Sequence, residues 1–246
     1  MAFEHITEQE LFATLQGIES PEALFQWAVA NHGDRAGIVT SFQDTGCVMI
    51  DIMSKAAPGM RVMTIDTHRL HDETYGLMDA VEAQYGLEIE RFTPDPGKLR
   101  QMVAQHGEFL FFDSKPKQEY CCKIRKVEPN QRALETLDVW FTGLRRDHSA
   151  ARMNTPKVQL VVVNGRKVLK IAPLADWSQE QVDAYSDEHG VPRNALYDKG
   201  YTSIGCVICT TPTQPWEPKR AGRWRWFNHL ESDDKECGIH IGGSGI

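Results

Sequence analysis

From residue 36 onward the chain alternates short apolar runs with stretches of helical spacing, and few architectures accommodate that alternation. Ala36-Gly37-Ile38-Val39-Thr40 reads as a strand, and the stretch 44–57 follows with Val48, Met49, Ile52 and Met53 at helical spacing. Strands are expected at 61–65 and 88–92, with helices at 72–85 and 96–106. Residues 138–142 and 159–163 add a fourth and a fifth strand. Strands separated by helices imply βαβ units. The expected fold class is therefore α/β, a mostly parallel sheet with helices on both faces. Connections in such sheets are right-handed, and ligands bind beyond the carboxyl ends of the strands.

The flanks are less regular. Residues 8–32 read as two short helices, the second opened by the cap Ser20-Pro21-Glu22. Asn164-Gly165 signals a hairpin pairing 159–163 with 167–171, and a helix is expected at 178–189. From Val191 prolines and glycines dominate and no core-forming element is evident. Residues 1–230 are accordingly read as one α/β domain with its N-terminal helices, and 231–246 as a mobile tail.

Composition excludes some functions. With 41% hydrophobic and 25% charged residues the chain is an ordinary globule, and no apolar run approaches the roughly 18 residues of a membrane span. The first ten residues hold no basic stretch followed by an apolar core, so a cytoplasmic protein is expected. The net charge of −7 argues against non-specific nucleic-acid binding. Basic residues still cluster, at Arg145-Arg146 with Arg152 and at Lys219-Arg220 with Arg223 and Arg225. Such patches on an acidic protein suit a small anion.

Five of the six cysteines sit where packing alone would not put them. Cys121-Cys122 are in tandem, Cys206 and Cys209 form a C-x-x-C pair, and Cys237 stands alone in a glycine-rich tail. The first four have the number and ligand type of an iron–sulfur site. A structural zinc site also takes four thiolates; the C-x-x-C pair fits its knuckle spacing and the tandem pair is too tight for it. The isolated Cys237 suggests a thiol kept for chemistry.

Three segments fall at carboxyl ends of strands, and a fourth stands in the irregular C-terminal stretch. Residues 41–46 (Ser-Phe-Gln-Asp-Thr-Gly) open a helix, a placement able to cradle a phosphate. Asp66-Thr67-His68-Arg69-Leu70 ends the second strand, and Thr142-Gly143-Leu144-Arg145-Arg146-Asp147 ends the fourth, where Gly143 allows close backbone approach. Further on, Lys219-Arg220-Ala221-Gly222-Arg223-Trp224-Arg225-Trp226 interleaves arginines with tryptophans. Guanidiniums there can hold oxyanions in pairs, or the indoles can pack on the core and leave them in water.

Taken together, Cys121-Cys122 with Lys123-Ile124-Arg125-Lys126, the Thr-Gly-Leu-Arg-Arg stretch, the C-x-x-C pair, Arg220-Ala-Gly-Arg223-Trp and Glu-Cys237-Gly-Ile-His resemble one family over about residues 38–240. It is the phosphoadenylylsulfate reductase family, in its cluster-bearing branch of assimilatory adenylylsulfate (APS) reductases. The resemblance implies an adenine-nucleotide α-hydrolase-like fold and a [4Fe–4S] cluster on Cys121, Cys122, Cys206 and Cys209. It implies reduction of adenosine 5′-phosphosulfate to sulfite and AMP through a Cys237 S-sulfonate, with thioredoxin or a glutaredoxin-like dithiol protein as donor. Arg220, Arg223, Lys126 and Arg145 would hold the phosphosulfate, and Ser41 and Gly143 would line the nucleotide. Lys126, about one helical turn beyond Cys122, would link cluster and sulfate electrostatically.

Two departures stand out. The phosphate loop of ATP-using relatives is degraded at 41–46, and His68 stands where the resemblance calls for glycine. No thioredoxin-like domain follows Cys237, which implies an external reductant, and the tail 231–246 would close over bound nucleotide. Alternatives are a reductase of the 3′-phosphorylated nucleotide, a cluster-bearing tRNA thiolation enzyme, or a non-enzymatic iron–sulfur or zinc module. The sequence leaves room for a homo-oligomer.

Overall fold

The computed structural model describes residues 7–148 and 152–227. Helices α1 (Glu8–Gln16) and α2 (Pro21–His32) precede the alternating unit β1 (Ala36–Thr40), α3 (Asp44–Ala56), β2 (Arg61–Ile65), α4 (Asp72–Tyr85) and β3 (Ile89–Phe92). Next come α5 (Pro96–His106), α6 (Lys115–Cys122), a π-helical turn at Lys123–Val127, and α7 (Glu128–Glu135). The strands β4 (Val139–Phe141), β5 (Val158–Val163) and β6 (Arg166–Ile171) complete the sheet, and α8 (Gln179–His189) packs on it.

The sheet order is β3-β2-β1-β4-β6-β5, parallel throughout except for the β5–β6 hairpin at the edge. The hairpin turn is Asn164-Gly165, both with positive φ (48° and 81°), which fits a tight primed turn. The fifth strand in the chain is not the neighbour of β4, because β6 comes between them.

Burial on both faces follows from the alternation along each strand. Ile38, Val62, Phe141 and Leu169 belong to one apolar cluster, with residues of α1, α2, α3, α4 and α8. Their chain neighbours Val39, Met63, Trp140 and Val168 belong to the opposite one, with Ala133 and Leu134 of α7. The central strands are thus covered twice, as a parallel sheet requires. Among the described residues no helix is long and apolar enough to cross a membrane.

Chain direction across the sheet reverses at β1: β2 and β3 lie on one side of it and β4 on the other. Such a reversal leaves a crevice between the loops that follow β1 and β4.

Sequence reading gave no element between 106 and 138, where the structure has α6, the π turn and α7. Pro116 and Pro129 conceal these helices; Pro116 sits in the first turn of α6, where the missing N–H costs nothing, and Pro129 follows directly on the π turn. The irregular reading from Val191 holds, with 3-10 turns at Tyr197–Lys199 and Val207–Cys209 and an isolated bridge between Thr210 and Arg223.

Candidate active site

A cavity of about 190 Å³ occupies the crevice and is lined by residues after β1 (Thr40, Ser41, Gln43, Asp44), after β4 (Thr142, Gly143, Leu144) and from the irregular segment (Tyr197, Thr202, Ser203, Ile204). Its floor depends on close backbone approach. A Cβ at Gly46 would lie 2.0 Å from Thr40 Oγ1, so only glycine lets α3 start this near the end of β1. Thr40 Oγ1 accepts from the Phe42 amide at 3.1 Å, helping to hold Phe42 at φ 54°.

The start of α3 is already served by protein acceptors. The Asp44 amide meets the Tyr197 hydroxyl at 3.3 Å, and the Thr45 amide donates to Asp44 Oδ1 at 2.7 Å. Gln43 Oε1 accepts from the Ile204 amide at 3.0 Å, joining this loop to the C-terminal segment. Ser41 lines the cavity and its hydroxyl accepts from Gln43 Nε2. Amides engaged in this way, beside a carboxylate, make a poor phosphate cradle.

Positive charge lies on the other wall. Lys126, Lys219, Arg220 and Arg223 all border the cavity. Arg223 is buried, with Nη1 at 3.3 Å from both Ser203 Oγ and the Ile204 carbonyl, and its guanidinium lies 4.8 Å from the Trp224 ring centre. A Cβ on Gly205 would come within 2.4 Å of Arg223 Nη2, so the glycine makes the room this side chain occupies. Lys126 reaches the cavity from the π turn, where the Glu128 N–H bonds to the carbonyl of Lys123, five residues back. Ile124, Arg125 and Lys126 are all buried. Three successive residues of an α-helix span about 200° of its circumference, and a widened turn narrows that arc.

Arg145, expected at the sulfate, is not brought to the cavity surface. It is fully buried and donates to Asp147 (2.9 Å), to Thr45 Oγ1 (2.9 Å) and to Gln179 Oε1 (2.7 Å). Gln179 in turn donates to Asp44 at 2.7 Å. Arg145 is therefore a brace between β4, α3 and α8, with its donors committed before any ligand arrives.

Sequence reading missed His148, which lines the cavity. Its Nδ1 accepts from the Arg145 amide at 3.4 Å and lies 3.0 Å from Arg152 Nη1. Burial, and then the Arg145 and Arg152 charges, hold its pKa down at about 3, so the ring is a neutral acceptor. It also missed Gln179 and Tyr197, which are distant in sequence from the other cavity residues and give no local signal.

The four cysteines approach the same wall from behind. Cys121 and Cys122 end α6, and Cys206 and Cys209 bracket the turn whose Cys209 amide donates to the Cys206 carbonyl at 2.9 Å. Cys121, Cys206 and Cys209 are buried. Thr67 Oγ1 lies 3.3 Å from Cys206 Sγ, and Gln118 Nε2 lies 3.3 Å from Cys122 Sγ. Burial pushes the Cys209 thiol up to about 12, the neighbouring Cys206 adds to the rise, and Lys126 and Arg223 oppose it. Burial and Cys206 also raise Cys121, against Arg69 and Arg125.

Lys126 and Arg223 thus border the cavity and also act electrostatically on Cys209. Among the described residues no three Cys, His, Asp or Glu side chains are gathered as they would be around one metal ion. Three of the four thiols are buried, and cationic side chains act on Cys121 and Cys209, a setting that suits thiolate ligands of an anionic group. Cys237 and the expected tail 231–246 lie outside the described residues.

Comparison with known proteins agrees with this geometry. The profile of the phosphoadenosine phosphosulfate reductase domain matches residues 36–212. A curated relative from Allochromatium vinosum named adenosine 5′-phosphosulfate reductase is 41% identical, over 84% of this chain and 79% of its own. The relative of the same name from Agrobacterium fabrum is 39% identical over 95% of this chain and 87% of its own. The solved phosphoadenylyl-sulfate reductase from Candida auris, a phosphate complex, superposes with a TM-score of 0.70 at 31% identity, over 84% of this chain and 98% of that one. On these grounds the chain belongs to the phosphoadenosine phosphosulfate reductase domain family.

Proposed function

We propose that the chain reduces adenosine 5′-phosphosulfate to sulfite and AMP, as an oxidoreductase of sulfate assimilation. The observation that carries this reading is the pair Lys126 and Arg223, which border the cavity and act electrostatically on Cys209. The names of the Allochromatium and Agrobacterium relatives support it.

In this reading Ser41 and Gly143 lie along the nucleotide. Arg220, Arg223 and Lys126 hold the phosphosulfate, orienting it and offsetting the charge of an approaching anion. The Cys237 thiolate attacks the sulfur, the S–O bond to AMP breaks, and a Cys237 S-sulfonate remains. A thiolate of a dithiol protein, thioredoxin or a glutaredoxin-like donor, then attacks the Cys237 sulfur and sulfite leaves. The donor's second thiol resolves the mixed disulfide, so both electrons come from thiols. Arg145 supports the site from behind by fixing Asp147, Thr45 and Gln179.

Cys121, Cys122, Cys206 and Cys209 would hold a [4Fe–4S] cluster, which supplies a fixed charge and a structural clamp behind the sulfate. Buried free thiols and a dithiol donor suit the reducing cytoplasm.

A second reading, reduction of the 3′-phosphorylated nucleotide, draws on Lys219 and Arg152 at the cavity and on the name of the Candida auris neighbour. Against it, Asp44 puts a carboxylate on the same surface. Thiol-dependent sulfite release from both nucleotides is the deciding experiment. Faster release from adenosine 5′-phosphosulfate supports the proposal, faster release from the 3′-phosphorylated form establishes the second reading, and release from neither rejects both. Cys237→Ser should form no covalent sulfonate by intact mass; an adduct on another cysteine would move the nucleophile there.

A further inference from the structure

The loop after β2 is built into the cysteine site. Thr67, almost fully buried, brings its hydroxyl to 3.3 Å from Cys206 Sγ and accepts from the Arg69 amide at 3.2 Å. Its carbonyl accepts from Arg125 Nη1 at 2.9 Å, and the Arg69 carbonyl accepts from the Val207 amide at 2.9 Å. That stitching carries the Arg69 side chain inward, where it is only 9% exposed. Its guanidinium lies 5.1 Å from the Phe111 ring centre, and Nη2 donates to the Glu108 carbonyl at 2.9 Å. The Glu108 carboxylate stands 3.4 Å away but is 63% exposed, and an exposed partner compensates a buried charge weakly.

Arg69 Nη1 and Arg125 Nε are buried and have no hydrogen-bond partner among the described residues. The two guanidiniums repel each other, and Arg125 also has a hydrogen bond to the Cys121 side chain. Two like charges with idle donors in a dry setting are costly, and an anion between them relieves both costs. Four thiolates around a core of charge 2+ carry two net negative charges, so the group would attract both guanidiniums.

Resting on the cluster reading, we infer that Arg69 is a positioning residue for the cysteine-held group, neutralising it jointly with Arg125 and donating to sulfur through Nη1. Its charge would raise the reduction potential of the group.

The test uses anaerobically purified full-length protein. In Arg69→Gln, iron release to a chelator should quicken by on the order of tenfold or more, as loss of an outer hydrogen-bond partner does. The reduction potential should fall. Arg69→Lys, which keeps the charge, should recover most of the wild-type behaviour, and AMP affinity should stay unchanged in both. Wild-type release and potential in Arg69→Gln would overturn the inference. Equal loss in Arg69→Lys would assign the effect to packing on Phe111, and AMP affinity lost in step with iron would assign it to the fold. A wild-type preparation without labile sulfide would instead remove the cluster reading itself.

Discussion

The sheet and the segment 191–227 are both well packed, yet different forces hold them. In the sheet the buried side chains are almost all apolar, and parallel ladders supply the backbone partners. In the C-terminal segment Ser203, Thr210 and Arg223 are buried beside Ile204, Cys206 and Cys209. Its backbone bonds are scattered, as from Thr211 N to Gly222 O and from Trp224 N to Cys209 O. Apolar burial gives tolerant stability, whereas a buried guanidinium is satisfied in one geometry only. The rigid half carries the cavity floor and the polar half brings charge to it.

The comparison breaks if truncation in either half acts on the other half's property. Phe141→Ala, in the centre of the sheet, should cost about 3–5 kcal/mol of stability, read from denaturant midpoints. Arg223→Ala should cost on the order of 2–4 kcal/mol in kcat/KM, the scale for losing an oxyanion donor, with a much smaller shift of the denaturation midpoint. Arg225→Ala sharpens that contrast. Arg225 is paired with Glu217 at 2.6 Å outside the cavity lining, and its loss should be felt far less in turnover. Equal losses at 223 and 225 would make this segment a packed strut and nothing more.

A smaller effect separates the halves by pH. His148 has a folded-state pKa of about 3 against an ordinary 6.5. Between those values the unfolded chain binds a proton that the folded chain does not, so stability falls as pH drops from 6.5. The limit is about 1.4 kcal/mol per pH unit, reduced because the side chain is part-exposed. His148→Gln should flatten the acid limb, seen in thermal midpoints at neutral and mildly acidic pH; an unchanged limb would refute the assignment. Smallest is His68→Gly. His68 is exposed at φ 56°, a conformation glycine adopts without strain, so the substitution should gain about 0.5 kcal/mol. A loss there would mean that the imidazole makes a contact of its own.

The two halves were unequally legible in the sequence. Ile38-Val39 and Trp140-Phe141 announce strands because their alternation is local, and the strand ends located the cavity without further help. The Lys219–Trp226 stretch disclosed its arginines, while the packing of Arg223 into the space beside Gly205 depends on a contact across eighteen residues. Arg145 misled for the opposite reason. The resemblance placed it at the phosphosulfate, and its partners Thr45 and Gln179 lie 100 and 34 residues away. The helices at 115–135 were hidden by prolines, Pro116 in the first turn of α6 and Pro129 just after the π turn.

The π turn between α6 and α7 can be understood as a phase adjuster. On one side α6 must present Cys121 to the other thiols; on the other, α7 must present Ala133 and Leu134 to the sheet. One rigid α-helix offers a single rotational setting, and each residue added or removed turns everything beyond it by about 100° and shifts it about 1.5 Å. The widened turn absorbs that mismatch at Lys123–Val127, where Arg125 and Lys126 project. Deleting one residue there would restore a regular α-helix with its two ends still in step, and would withdraw the turn that lets Arg125 and Lys126 project together.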